Sequence, residues 1–253
     1  MAPRLAAAIL SVLLLAGFGR IVPAPQAEPP ADPQAAWARV LERFVDDAGR
    51  VDFAALARDR TDLDRFVAWI YTTAPGNAPQ LFPRRAEVLA YHLNAYNALA
   101  MYNVLERGIP ASLGGLEKIN FFALRQLKVG GAPLSLYTYE NDVIRPLGEE
   151  RVHFALNCMV RGCPRLPRTP FRAADLERQL GAEAQRFLGE PRNVRLDPAR
   201  RVVQLSEILK FYSEDFLAKA PSLIAYVNRY RDEKIPEDYE IVFIPYDWTV
   251  NRQ

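Results

Sequence analysis

The chain has 253 residues, of which 50% are hydrophobic and 25% are charged. This composition is ordinary for a folded globular protein, and the length allows one large domain or two small ones. The net charge of +2 arises from 32 basic and 30 acidic side chains, so a nucleic-acid partner is not expected.

The N-terminus has the pattern of a secretory signal peptide. Arg4 precedes an apolar run over residues 5–18, which is shorter than the roughly 20 residues of a membrane-spanning helix. We predict that residues 1–27 are a signal peptide cleaved after Ala27, and that the protein is exported to the periplasm or the extracellular space. The competing interpretation is an uncleaved membrane anchor over residues 5–22. Residues 28–36 are predicted to form a flexible, proline-rich lead-in to a single domain over residues 37–253.

Apolar residues recur at helical spacing in the first half of the chain. This pattern predicts a helix over residues 37–45, one or two helices over residues 54–71, and a helix over residues 84–107, which has the strongest pattern. Gly130 and Gly131 predict a hairpin turn between short strands within residues 121–136. A helix that begins at Ser135 is expected to carry Glu140.

The second half of the chain mixes short strands with helices. The continuous apolar character of residues 152–156 predicts a buried strand. Residues 193–196 and 202–205 are predicted to pair as a hairpin, and residues 240–246 to form a closing strand. Helices are predicted over residues 172–188, 207–216 and 222–231. Helices in blocks around a few strands predict an α+β fold, with helices around a small, mostly antiparallel sheet.

Both cysteines of the chain lie in the stretch HFALNCMVRGCPRL, which begins at His153. In an exported chain, Cys158 and Cys163 can form a disulfide. A reactive thiol would instead need a base or a cation nearby. His153 and Cys158 are five positions apart, so on one strand they would point to opposite faces unless the strand ends at Asn157.

The same stretch does not have the residue spacing of a metal site. Two cysteines and two histidines in the whole chain lack the paired spacing of zinc ligands. The segment LGGL at residues 113–116 has neither the lysine nor the spacing of a phosphate-binding loop. We therefore predict no metal and no cofactor.

Five sequence blocks occur in one order along the chain: HLNAYNALAMYNVLERGIP, LSLYTYENDVIRPL, ERVHFALNCMVRGCPRL, LSEILKFYSEDF and IPYDWTVN. Together they resemble the domain-of-unknown-function family 547, from about residue 85 to residue 250. The last two blocks match through Asp215, Phe216, Asp247 and Trp248. His92 stands where the family usually has a tryptophan, so we interpret it as a local substitution without a catalytic role.

The resemblance implies a papain-like or transglutaminase-like thiol-enzyme architecture with a Cys–His–carboxylate site. In such a site, Cys158 is the nucleophile, His153 is its base, and Glu140 is the carboxylate that orients the imidazole. We therefore expect a thiol-dependent hydrolase or acyltransferase that acts on an amide, peptide or thioester bond. The expected partner is a peptide, an amide or a small thiol-containing ligand.

Five further residues of the matching blocks are expected to support this site: Asn94, Asn97, Arg151, Asn157 and Cys163. Asn94 or Asn157 would donate a hydrogen bond to a developing oxyanion.

The first block also resembles the nucleophile helix of transglutaminase-type domains, which carries a cysteine. Aligned on Gly108–Ile109–Pro110, that cysteine would fall at Leu93 or Asn94, where this chain has none. This departure keeps an alternative open, namely a non-catalytic ligand-binding or scaffold domain with a Cys158–Cys163 disulfide. A thiol–disulfide exchange protein is the remaining alternative.

Overall fold

Residues 20–253 are described by the computed structural model, and most of the predicted signal peptide lies outside this range. The α-helices are Pro33–Phe44 (α1), Phe53–Arg58 (α2), Thr61–Thr72 (α3), Arg85–Glu106 (α4), Leu116–Ile119 (α5), Leu136–Thr138 (α6), Leu176–Gly189 (α7), Ile208–Phe211 (α8), Ser213–Leu217 (α9) and Leu223–Asn228 (α10). The strands are Gln126–Val129 (β1), Ala132–Ser135 (β2), Val194–Asp197 (β3), Val202–Ser206 (β4) and Glu240–Ile244 (β5).

Helix α4 lies at the centre of the larger of two clusters of buried apolar side chains. Every residue of this helix from Leu89 to Leu105 is buried, which is the behaviour expected of a helix that is apolar on nearly all sides. The helix ends before Gly108, whose φ of 73° is a conformation that glycine adopts without strain. The predicted helix over residues 84–107 is therefore confirmed to within one residue at each end.

Strands β1 and β2 form the predicted antiparallel hairpin. Gly130 and Gly131 occupy its turn with φ values of 58° and 90°, the positive values that a tight two-residue hairpin turn requires. Ser135 is the last residue of β2 and caps α6, because its hydroxyl accepts a hydrogen bond from the Thr138 N–H at 3.0 Å. The chain then continues through a wide, π-helical turn over Tyr139–Ile144, which brings Glu140 to the interior.

The segment before α1 packs against this hairpin. The backbone N–H of Val22 donates to the carbonyl of Gln126 at 2.7 Å, and Val22 is only 1% exposed. Helix α1 begins at Pro33, four residues before the predicted start of the domain at residue 37, with the Asp32 side chain as its cap. Cleavage after Ala27 would therefore remove residues that contact the domain. Within residues 20–253, no helix is both long and apolar enough to span a bilayer.

The second sheet has three strands in the order β3–β4–β5. Strands β3 and β4 form the predicted antiparallel hairpin, whereas β5 pairs with β4 in parallel. The smaller apolar cluster fills the space between this sheet and the helices around it. The α+β class is confirmed, with the strands divided between one two-stranded and one three-stranded sheet.

The predicted strand over residues 152–156 is wrong. The chain forms a short 3-10 helix there, Glu150–Phe154, and then enters an irregular loop. A short apolar run predicts burial, and Val152, Phe154 and Ala155 are indeed buried, but such a run does not distinguish a strand from one helical turn. Several helix boundaries also differ. Helix α7 begins at Leu176, the helix predicted over residues 207–216 is interrupted at Tyr212, and α10 ends at Asn228.

Candidate functional site

A cavity of about 330 Å³ lies where the wide turn Tyr139–Ile144, the 3-10 helix Glu150–Phe154 and the segment after β5 meet. Glu140, His153 and Cys158, the three residues predicted to be catalytic, all contribute to its lining. They reach one cavity because the 3-10 helix that contains His153 ends at Phe154 and the chain then runs as a loop to Cys158, so the opposed faces of a strand do not apply. Much of the remaining wall is aromatic.

The His153 imidazole is held at one nitrogen and free at the other. Its Nε2 lies 2.7 Å from Oδ2 of Asp215, and its ring stacks on Tyr212 with 3.7 Å between the centroids. Its Nδ1 is buried and has no hydrogen-bond partner among the described residues. The nearest carboxylate oxygen to Nδ1, Oε1 of Glu140, is 3.9 Å away, which is too far for a hydrogen bond.

Asp215 is therefore the carboxylate that bonds His153, a role that we expected of Glu140. Arg145 binds the same carboxylate with two hydrogen bonds, from Nε at 2.8 Å and from a terminal guanidinium nitrogen at 2.9 Å. The hydrogen bond with His153, and then those from Arg145, lower the pKa of Asp215 well below its usual value. An ionised Asp215 accepts the Nε2 proton, and this fixes the neutral imidazole in the tautomer whose lone pair is on Nδ1.

Glu140 is buried beside Tyr96 and Tyr212. It accepts a hydrogen bond from the Tyr96 hydroxyl at 3.2 Å. Burial, together with the negative charge of Glu140, raises the pKa of Tyr96 and of Tyr212 well above the usual value. These phenols stay protonated and can donate to the carboxylate, whose Oε1 lies 3.9 Å from Nδ1 of His153.

Cys158 and Cys163 form a disulfide bond at the edge of the cavity. The Tyr246 hydroxyl lies 3.0 Å from Sγ of Cys163 and 3.2 Å from Sγ of Cys158. Neither sulfur of a disulfide carries a proton, so the hydroxyl is the donor in both contacts. Burial is the main reason that the pKa of Tyr246 is raised, and this keeps the phenol protonated. The backbone N–H of Cys158 also donates to Sγ of Cys163, at 3.0 Å.

Tyr246 is fixed in this position by its neighbours on both sides. Its backbone N–H donates to Oε2 of Glu207 at 2.9 Å, and its ring packs against Trp248. Gly162 lies directly under the ring, where an added Cβ would come within 2.8 Å of it. The loop of the two cysteines is thus pressed against the segment that follows β5, which brings the hydroxyl to the sulfurs.

A comparison with known protein families finds one match, which covers part of the chain. Residues 80–188 match the model of a family described as "Protein of unknown function, DUF547". We call residues 80–188 the DUF547 segment, because they are similar to that family. The DUF547 segment includes His153 and both cysteines but ends before Asp215 and Tyr246. No curated protein and no solved structure matches the chain.

Two asparagines of the DUF547 segment hold the loop of the cysteines in shape. Asn97 donates from Nδ2 to the Ala155 carbonyl at 3.0 Å and accepts from the Asn157 N–H at 2.7 Å. Asn157 in turn donates from its side chain to the Pro164 carbonyl at 2.6 Å and accepts from the Met159 N–H at 2.7 Å. The amide groups of both side chains are therefore bonded to backbone rather than directed at the cavity.

Asn94 and Arg151 lie outside the lining of the cavity. Asn94 is buried and bonds both the N–H and the carbonyl of Phe171, at 3.0 and 2.8 Å. Arg151 makes two hydrogen bonds to Glu149 and a third to Glu177. In these positions both side chains connect parts of the chain around the site.

Tyr246 and Asp215 are the residues at this site whose roles the sequence did not reveal. Asp215 lies within a block that resembles the family, so a signal for it existed, but nothing in its spacing connected it to His153. Tyr246 stands in the last block, 83 positions after Cys163. Within residues 20–253, no group of three or more His, Cys, Asp or Glu side chains is placed to hold a metal ion.

Proposed function

We propose that this protein is a thiol-dependent hydrolase or acyltransferase whose nucleophile is Cys158 in the reduced state. The observation that carries the proposal is the placement of His153. His153 and Cys158 line the same cavity, Nδ1 of His153 is buried without a hydrogen-bond partner among the described residues, and Asp215 holds the other nitrogen. A nucleophile, a base and a group that orients the base are the parts that covalent catalysis needs.

The reaction begins with transfer of the Cys158 thiol proton to Nδ1 of His153. Asp215 stabilises the resulting imidazolium through its 2.7 Å hydrogen bond, and Glu140 adds a second negative charge 3.9 Å from the protonated nitrogen. The thiolate then attacks a carbonyl carbon, a C–S bond forms, and the leaving group departs with the proton from His153. Water or a second nucleophile releases the acyl group and restores the thiol.

The wall of the cavity favours an apolar or aromatic acyl group. Phe122, Phe211 and Trp248 contribute to its lining, and its volume of about 330 Å³ is at the lower end of the range for small-ligand sites. Export remains part of the proposal, because a disulfide in the resting protein is typical of an oxidising compartment. Kinship with papain-like or transglutaminase-like enzymes remains a prediction of the sequence.

Two matched variants test the nucleophile, because each breaks the disulfide and leaves one thiol. Cys163→Ala frees Cys158, and Cys158→Ala frees Cys163. We expect p-nitrophenyl phenylacetate to acylate the Cys163→Ala protein, seen as a mass increase on Cys158, and not the Cys158→Ala protein. Adding Asp215→Asn to Cys163→Ala should slow acylation roughly ten- to a hundredfold, the effect of losing a hydrogen bond to a charged group.

If folded Cys163→Ala protein reacts no faster than free glutathione, Cys158 is not an activated nucleophile. The disulfide is then a structural link in a non-catalytic binding domain, and the cavity is a ligand site without chemistry.

A further inference from the structure

The disulfide form of the site has a feature that acyl transfer does not use. Two hydrogen-bond donors converge on one sulfur, Sγ of Cys163: the Tyr246 hydroxyl and the Cys158 N–H, both at 3.0 Å. We infer that the Cys158–Cys163 disulfide exchanges with low-molecular-weight thiols, with Cys158 as the sulfur attacked and Cys163 as the sulfur that leaves. This activity goes beyond the proposed acyl transfer and belongs to the oxidised protein.

Cys158 is the more exposed of the two cysteines, so its sulfur is the one attacked. Cys163 is only 3% exposed, whereas Cys158 is half-buried at the wall of the cavity. Thiol–disulfide exchange requires the incoming thiolate to reach one sulfur, and access decides which one. A small thiol in the cavity therefore meets Cys158 first.

Cys163 is the leaving sulfur because the Tyr246 hydroxyl and the Cys158 N–H both donate hydrogen bonds to it. The sulfur that leaves takes the electron pair of the S–S bond and becomes a thiolate, and exchange is faster when that thiolate is more stable. Tyr246 stays protonated and a backbone N–H cannot lose its proton, so both donors are in place when the charge develops. Hydrogen bonds to a charged group are stronger than those to a neutral one, and the two donors therefore favour the departing thiolate over the disulfide.

His153 supplies the base for the incoming thiol. Its free Nδ1 takes the proton of the thiol, and the thiolate forms an S–S bond with Cys158 while the bond to Cys163 breaks. The first product is a mixed disulfide on Cys158. A second thiol of the same class then attacks this mixed disulfide, which releases a small disulfide and leaves both cysteines reduced. Two thiols are oxidised for each protein disulfide reduced, so electrons and protons balance.

The test uses oxidised wild-type protein and glutathione. Acid quenching, alkylation and peptide mass spectrometry will locate the mixed disulfide, which we expect on Cys158. Tyr246→Phe should slow its formation by about tenfold or more, as expected when a hydrogen bond to a developing charge is lost. Tyr239→Phe is the matched control, because Tyr239 lies outside the cavity, and it should leave the rate unchanged.

A second measurement tests whether Tyr246 stabilises the Cys163 thiolate by donating a hydrogen bond or only packs against the loop of the cysteines. In a Cys158→Ser background only the Cys163 thiol remains, and adding Tyr246→Phe should raise its apparent pKa in a pH series of iodoacetamide alkylation. Glutathione found on Cys163, or a rate and a pKa that Tyr246→Phe leaves unchanged, would overturn the inference. Acyl transfer is measured on Cys163→Ala protein without a disulfide, so either activity can fail without the other.

Discussion

Asn97 offers the most direct test of how the loop of the cysteines is held. Its side chain is 1% exposed and bonds two backbone groups of that loop, the Ala155 carbonyl and the Asn157 N–H. Asn97→Ala removes both partners at once and leaves a donor and an acceptor buried without hydrogen bonds. Each such group costs about 1–3 kcal/mol, so the free energy of unfolding should fall by about 2–6 kcal/mol.

Urea denaturation of the oxidised protein at pH 7 measures this loss. Asn120→Ala is the control, because the Asn120 side chain makes only a 3.4 Å contact to Glu117, and it should cost less than about 1 kcal/mol. Asn97→Asp keeps the acceptor for Asn157 but replaces the donor to Ala155 with a second oxygen. Burial will raise the pKa of the introduced carboxyl, so this variant should be closer to wild type at pH 4.5 than at pH 7.

A loss of less than about 1 kcal/mol for Asn97→Ala would refute this account of the loop. It would mean that water or a shifted backbone satisfies both groups, and that the asparagine is not what holds the segment between His153 and Cys158. An oxyanion role for Asn97, in contrast, would appear as slower acylation of the Cys163→Ala protein with no change in the free energy of unfolding.

Two further predictions concern the pH dependence of stability, measured by urea denaturation at a series of pH values. Burial lowers the pKa of His92 from 6.5 to about 4, so the unfolded chain takes up this proton first as the pH falls. The free energy of unfolding should fall by at most about 3 kcal/mol as the pH falls from 6.5 to about 4. His92→Phe should remove this contribution to the pH dependence of stability. Burial raises the pKa of Glu183 from 4.5 to about 7, so the folded state keeps a proton that the unfolded chain releases. The free energy of unfolding should therefore fall by up to about 3 kcal/mol as the pH rises through this range, and Glu183→Gln should abolish that fall. Either prediction is contradicted if the free energy of unfolding depends on pH in the same way in the variant and in wild type.

The elements that the sequence predicted best are those whose pattern is long or chemically specific. Helix α4 repeats its apolar spacing over six turns, and the hairpin at Gly130 needs two positive φ values that few residues other than glycine adopt. The 3-10 helix Glu150–Phe154 had neither kind of signal. Its backbone is held by local turns, and the Asn97 side chain bonds the Ala155 carbonyl directly after it, a contact across 58 positions that no local pattern contains.

The candidate site was predictable in its residue types but not in its pairing. His153, Cys158 and Glu140 line one cavity, and the resemblance of their sequence blocks was enough to single them out. The partner of His153 was not predictable, because two carboxylates in two different blocks could have reached it. The fold places Oδ2 of Asp215 2.7 Å from Nε2 of His153, whereas Oε1 of Glu140 is 3.9 Å from Nδ1.

The position of Tyr246 in the chain has a consequence for biosynthesis. Both cysteines leave the ribosome before Tyr246 is synthesised, because 83 positions separate it from Cys163. The loop is also paired to Val250 through Val160, so its final shape cannot form while that segment is still inside the exit tunnel. During that interval the two cysteines lack the phenol that later bonds their sulfurs. The hydrogen bonds from Tyr246 are therefore among the last contacts that the loop of the cysteines acquires.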